Sequence, residues 1–226
     1  MKQHNYQRAR LKLFEDKRIN KIWLFSKSGG RPFPVPASKV TAEMDFQKPH
    51  LELFQAKIEK RAARAFQKEG KWEPKDYEAI IEWTVLHLIR NRKSRREFFA
   101  SAEDYNNRFI SEFYKEVTIS HDRYPNIDIH ESKEDRFLVT ADHPVAELQV
   151  PGENDYVRCF AKSPNILILF SRRSRPPEFA IPVEDYFNAM IYSLADELIF
   201  SDRSDVSLPR LKEIAETFEM SPVIGT

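Results

Sequence analysis

One stretch restricts what this chain can become more than any other. Residues 74–99 read PKDYEAIIEWTVLHLIRNRKSRREFF. Pro74 suits the first turn of a helix, where its missing N–H costs nothing. Asp76 and Glu78 place negative charge near the positive end of the helix dipole. Ile80, Ile81, Trp83, Val85, Leu86, Leu88 and Ile89 follow without a Gly or Pro. The run is too long and too evenly apolar for a strand, so it predicts a helix buried at the centre of a domain. At about 100° per residue, Trp83, His87, Arg90 and Ser94 share one stripe. A guanidinium on a buried helix needs a carboxylate or several carbonyls to meet it. Arg90 therefore sets a requirement that another part of the chain must satisfy.

The elements around this helix separate into helical and extended blocks. Residues 49–68 form a helix with Leu51, Phe54, Ile58, Ala62 and Ala65 on one stripe and Glu52, Gln55 and Glu59 beside it, stopped at Gly70. Ser101 and Asp104 resemble a capping pair ahead of a third helix, which carries Tyr105, Phe109, Phe113 and Val117 and runs to about Ile119. Residues 183–200 and 208–218 read as two further helices. Strands are expected at 20–26, at 136–140 and 145–150, at 156–161, and at 165–171. Ser28-Gly29-Gly30 marks a hairpin turn, and the following RPFPVPAS is an extended, proline-bearing edge. Residues 1–18 form a short strand or irregular arm. Segregated helices and strands point to an α+β fold: four to five helices packed with an antiparallel sheet and an N-terminal hairpin. A single domain over 1–226 is expected, with a hairpin arm at 1–46, a helical core at 47–120, a sheet at 130–182 and C-terminal helices at 183–226.

Composition narrows the function. The net charge of +1 recommends neither nucleic acid nor membrane globally, although the basic residues are clustered. The one cysteine, Cys159, excludes an internal disulfide framework and a cysteine-based zinc site, and suits a reducing compartment. The polar N-terminus lacks the apolar core of a signal peptide and no apolar run reaches membrane-spanning length, so a cytoplasmic chain with no membrane partner is expected. No Gly-rich phosphate loop and no G-x-S-x-G elbow occur, and no H-x-x-x-H or D-x-D spacing suggests a metal. No cofactor is implied.

Several short motifs carry a resemblance. His4, Leu11 and Phe14 keep the spacing of a His-Tyr-x-Pro-x-x-x-Leu-x-x-Phe opening, with Asn5 and Gln7 in place of the Tyr and Pro. Residues 21–27 match a following strand, Glu59 falls in a glutamate-bearing helix, and residues 85–97 match an Arg-bearing helix. Residues 137–145 match an Asp-x-Pro turn, from Phe137 to Val145, with Asp142 and Pro144 kept and His143 in place of an Asn. In these features the chain resembles the bacterial family called domain of unknown function four-two-three-eight. The resemblance implies the fold rather than an activity, and it nominates His4, Glu59, Arg90, Arg95, Arg96 and Asp142.

Two readings of this set follow. In both, Asp142 at its tight turn is expected to meet Arg90 as a bidentate pair. In the first, His4, Arg90, Asp142 and Glu59 form a metal-independent catalytic group. His4 is the base and Arg90 holds a phosphate. Arg92, Lys93, Arg95 and Arg96, with Arg172, Arg173 and Arg175, grip the backbone of a nucleic acid, RNA more than DNA. That describes a nuclease-like toxin or phage-defence effector, with room for a protein partner from a neighbouring gene. In the second, the same residues are the structural polar core of a non-catalytic binding or sensor module in a defence complex.

Overall fold

The structure, a computed structural model, describes residues 11–40, 48–68, 72–90, 99–150, 155–174, 178–218 and 220. They form five helices and eight strands in two antiparallel sheets, an α+β fold. They fall into two compact units, one drawn from residues 38–123 and the other from 11–37 with 124 onward.

The first unit is helical. Helix α1 (Pro49–Gln67) starts on a proline and buries Leu51, Ile58, Ala62 and Ala65. The backbone N–H of Lys48 donates to Asn106 Oδ1 (2.9 Å), which ties the start of α1 to helix α3 (Ala102–Arg123). Helix α2 (Pro74–Arg90) is the apolar rod, with Ala79, Ile80, Ile81, Trp83, Val85, Leu86 and Ile89 buried. Its first turn is fixed by Asp76, which accepts from Glu73 N (2.8 Å) and from Lys68 Nζ (2.7 Å) at the end of α1. The Lys68 ammonium and the Glu73 N–H hold the Asp76 carboxyl below its usual range.

The capping pair ahead of α3 forms as its spacing suggests. Asp104 N donates to Ser101 Oγ (3.1 Å), and Asp104 Oδ2 accepts from Ala100 N (3.0 Å). Helix α3 runs four residues past the expected Ile119. It stops at Arg123 because Pro125 disfavours helical backbone at Tyr124. On the face between, Phe54 of α1 meets Phe109, Phe113 and Tyr114 edge-on, at centroid distances of 6.3, 5.2 and 5.9 Å.

The second unit holds both sheets, where one was expected. In the first sheet the order is β2 (Phe33–Val35), β1 (Ile22–Ser26), β8 (Leu198–Ser201), β4 (Thr140–Ala141). The expected hairpin is there: Gly29 (φ 101°) and Gly30 (φ 106°) take the left-handed backbone of the turn, and Pro34 lies on the edge strand. The second sheet has the order β3 (Asn126–Glu131), β7 (Ile166–Ser171), β6 (Tyr156–Ser163), β5 (Val145–Gln149). The chain crosses from one sheet to the other at Asp142-His143-Pro144. Helix α4 (Val183–Leu194) packs on β4 and β5, and helix α5 (Leu208–Thr217) packs on α4. No helix among the described residues is long and apolar enough to cross a membrane.

Two expected elements are corrected. The helix over 183–200 ends at Leu194, and Leu198–Ser201 turns back as a strand with Ile199 and Phe200 buried. The strand over 136–140 is reduced to Thr140–Ala141. The backbone before it pairs with a side chain instead: buried Asn188 of α4 accepts from Val139 N (2.9 Å) and donates to Phe137 O (2.8 Å). Between these two groups Leu138 N donates to Pro164 O (2.7 Å), so an amide side chain and one loop carbonyl stand where neighbouring strands were expected.

Cys159 lies at the centre of β6 with 0% exposure. Burial pushes its thiol well above the usual range, so the reactive thiolate is scarce. In the native protein it should react with a thiol reagent at least about a thousandfold more slowly than in denaturant, the ratio set by the opening equilibrium. Equal rates in the two conditions would place the thiol at the surface.

Candidate functional site

Arg90 is the last residue of α2, and its carboxylate partner is on α1. Arg90 Nη1 donates to Glu59 Oε1 at 2.8 Å. The Glu59 side chain is 7% exposed and that of Arg90 25%. The α1–α2 seam brings them together because Glu59 flanks the apolar stripe of one helix and Arg90 ends the rod of the other. The pair is made through one nitrogen. Nε and Nη2 of Arg90 take no partner among the described residues, and a quarter of the side chain faces solvent. A positive group is thus held in place by a buried acid, and among the described residues part of its hydrogen-bonding fork is unused.

A second pair, Arg61 of α1 with Glu82 of α2, lies on the same seam. Burial pushes the Glu82 carboxyl up, against the opposing pull of the Arg61 charge. His87, on the stripe with Arg90, is buried with its ring 4.4 Å from that of Trp83, which in turn meets Phe66 at 5.1 Å.

Asp142 has other work. Its Oδ1 accepts from His143 N (3.0 Å) and Asp196 N (3.1 Å). Its Oδ2 accepts from Glu197 N (3.1 Å) and Leu198 N (3.3 Å). The carboxylate thereby reverses the chain between α4 and β8. His143 Nε2 meets Asp196 Oδ2 at 3.1 Å and closes the same corner. The expected Arg90–Asp142 pair is corrected: each residue finds its partners inside its own unit. The acid expected from a distant turn comes from the neighbouring helix, and the turn acid holds backbone.

Arg172 and Arg173 are exposed just after β7, where Arg173 Nε lies 3.4 Å from Asp155 Oδ2 and the Arg172 carbonyl accepts from Asn126 Nδ2. His4, Arg92, Lys93, Arg95, Arg96 and Arg175 lie outside the described residues, as does Ser94. Among the described residues no group of three or more His, Cys, Asp or Glu side chains is placed to hold a metal ion.

Two polar clusters were not anticipated. Glu147 of β5 and Arg158 of β6 face each other across the ladder with side chains 4% and 5% exposed. Arg158 donates to Glu147 Oε1 from Nε (3.0 Å) and Nη2 (2.8 Å), and the Tyr124 hydroxyl donates to the same oxygen (3.0 Å). The guanidinium lies 4.8 Å from the centre of the Tyr124 ring. The second cluster surrounds the start of α4. His130 Nε2 meets Glu184 Oε1 at 2.9 Å, and Arg136 Nη1 donates to Asp185 Oδ2 at 2.7 Å. Burial alone would raise the Glu184 carboxyl, but His130 and the nearby Arg136 charge bring it below its usual value. The sequence does signal the first cluster, since VAELQV and YVRCFA each carry one charge among apolar residues. It does not signal the strands' pairing, which makes the two charges neighbours.

No family model, no curated protein and no solved structure matches the chain.

Proposed function

We propose that this protein grips the phosphate backbone of a nucleic acid through Arg90 and cuts it without a metal, acting on RNA rather than DNA. The supporting observation is the half-engaged guanidinium of Arg90, fixed by buried Glu59 at one nitrogen, with Nε and Nη2 taking no partner among the described residues. Two such donors match two phosphate oxygens. The basic run that continues the sequence, Arg92 to Arg96, would add backbone contacts with no base preference.

RNA is favoured by the chemistry of a metal-free cut. Its 2′-hydroxyl can attack the adjacent phosphorus, and DNA lacks that group. In this reading His4 takes the proton of the attacking 2′-hydroxyl, Arg90 neutralises charge building on the phosphoryl oxygens, and the bond to the 5′-oxygen breaks as that oxygen takes a proton from water, leaving a 2′,3′-cyclic phosphate and a 5′-hydroxyl. Asp142 has no part in proton transfer, because both its oxygens hold backbone N–H groups. A toxin or phage-defence setting belongs to the same proposal.

Incubation with single-stranded RNA and DNA of one sequence tests it. Wild type should cut RNA, and His4→Ala and Arg90→Ala should each lower the rate by about a hundredfold or more. Intact RNA after incubation with wild type, or unchanged rates in both variants, would refute the cutting.

A second reading is favoured by the engagement of Glu59 and Asp142, which gives both acids structural work. As a binding module the chain would retain RNA without cutting it. Arg90→Ala would then mainly expose the loss of the Glu59 pair, about 1–3 kcal/mol for a pair this close to solvent.

A further inference from the structure

Strand β3 ends the second sheet. Its partner β7 lies on one side, and no strand pairs with its other side among the described residues. The direction of its backbone groups can be worked out. Ser132 N donates to Asn165 O, in the same register that pairs Asp128 with Leu169 and His130 with Leu167. Hydrogen-bonded and non-bonded pairs alternate along an antiparallel ladder. The N–H and C=O groups of Asn126, Asp128 and His130 therefore face β7, and those of Ile127, Ile129 and Glu131 face outward.

The side chains are unusual for an open edge. Ile129 is 51% exposed. Asp128 Oδ2 is shielded from solvent and takes no hydrogen bond from any described residue, and the Ser132 hydroxyl is in the same position. Burial pushes the Asp128 carboxyl above its usual range. An outward ladder, an exposed isoleucine and a shielded acid without a donor together describe an edge that lacks a neighbour.

We propose that the neighbour is β3 of a second copy of this chain, paired antiparallel about a twofold axis at Ile129. Only residues with outward backbone groups can exchange bonds, so few registers exist. Centring on Ile127 would oppose Ile129 to Pro125, which has no N–H to donate. Centring between Ile127 and Ile129 sets Asp128 against its own copy, and centring on Glu131 sets Glu131 against its own copy. Both oppose like charges. Centring between Ile129 and Glu131 opposes His130 to itself. The register at Ile129 stacks Ile129 on its copy and places Ile127 opposite Glu131. It also sets Asp128 opposite His130 in a close, non-bonded pair, in both directions. Asp128 thereby faces a ring whose Nε2 is held by Glu184 and whose Nδ1 is left to donate, and Ser132 comes opposite Asn126. The sequence Asn126-Ile127-Asp128-Ile129-His130-Glu131 is complementary to its own reverse in this register and in none of the others.

The test uses the full chain. Sedimentation of wild type over a concentration series should show a dimer, and Ile129→Lys should raise its dissociation constant at least about tenfold. Register is read by cross-linking single-cysteine replacements with a short thiol-to-thiol reagent, native Cys159 being buried and silent. Ile129→Cys should link to its copy, since Cα atoms of a bonded pair lie about 5.5 Å apart. Glu131→Cys, also exposed, should not, since its copy lies four residues away, about 14 Å. A wild-type monomer at every concentration would overturn the proposal, as would Glu131→Cys linking as readily as Ile129→Cys.

Discussion

Replacing Arg158 with alanine is expected to lower stability by about 3–5 kcal/mol, more than any other single substitution proposed for this chain. The size comes from what is left behind. The Glu147 side chain is 4% exposed, and Arg158 supplies two of the hydrogen bonds to its Oε1. Without them a carboxylate is stranded between β5 and β6 with the Tyr124 hydroxyl as its remaining donor at that oxygen. Glu147→Ala should cost less, because the Arg158 guanidinium keeps its place over the Tyr124 ring. The double variant Arg158→Met with Glu147→Leu removes both charges and keeps the volume, so it should lose much less than the sum of the single losses. Urea unfolding of wild type, Arg158→Met, Glu147→Leu and the double variant measures the coupling. Single losses that add to within about 0.5 kcal/mol would show that the two groups do not depend on each other.

Asp142→Ala ranks second, with an expected loss of about 2–3 kcal/mol. Four backbone N–H groups, at His143, Asp196, Glu197 and Leu198, lose their acceptor. Each such bond contributes about 0.5–1.5 kcal/mol, and the corner is open enough for water to replace part of the loss. Asp142→Asn keeps the shape but turns one acceptor into a donor, so it should also destabilise, by about 1–2 kcal/mol. Thermal melts of both variants check this. An Asp142→Asn protein that melts like wild type but has lost its activity would make the carboxylate catalytic rather than structural.

The parts of the fold legible in the sequence were those governed by local rules. The rod at Pro74–Arg90 follows from an unbroken apolar run behind a proline and an acid, and the cap at Ser101 and Asp104 from their spacing. The glycines and Pro34 disclosed the hairpin in the same way. What escaped depends on pairing between distant segments. Leu198–Ser201 continues a helical pattern on paper, and becomes a strand because β1 and β4 flank it and Asp142 takes the N–H groups ahead of it. Phe137–Val139 looks like a strand, yet its partners are the side chain of Asn188 and the carbonyl of Pro164.

The site was half legible for the same reason. Arg90 on an apolar rod does require an acid, and Glu59 was in the nominated set, but the acid that meets Arg90 is Glu59 and not the expected Asp142. Adjacent helices place Glu59 within reach of Arg90 without any long connection, whereas a carboxylate at a tight turn is first claimed by the N–H groups around it. Two deeply buried charges, Glu147 and Arg158, could be recognised as a pair only once the register of β5 on β6 was known.

The proposed function requires Arg90 to meet a phosphate, and the salt dependence of RNA binding tests that most directly. Dissociation constants for a short single-stranded RNA are measured over a range of salt concentrations for wild type and for Arg90→Gln, with folding of the variant confirmed by its melt. Binding of Arg90→Gln should be weaker, and the slope of log K against log salt should flatten by about 0.7, the loss of one phosphate contact on a single strand. Superimposable lines for two folded proteins would mean that Arg90 touches no phosphate.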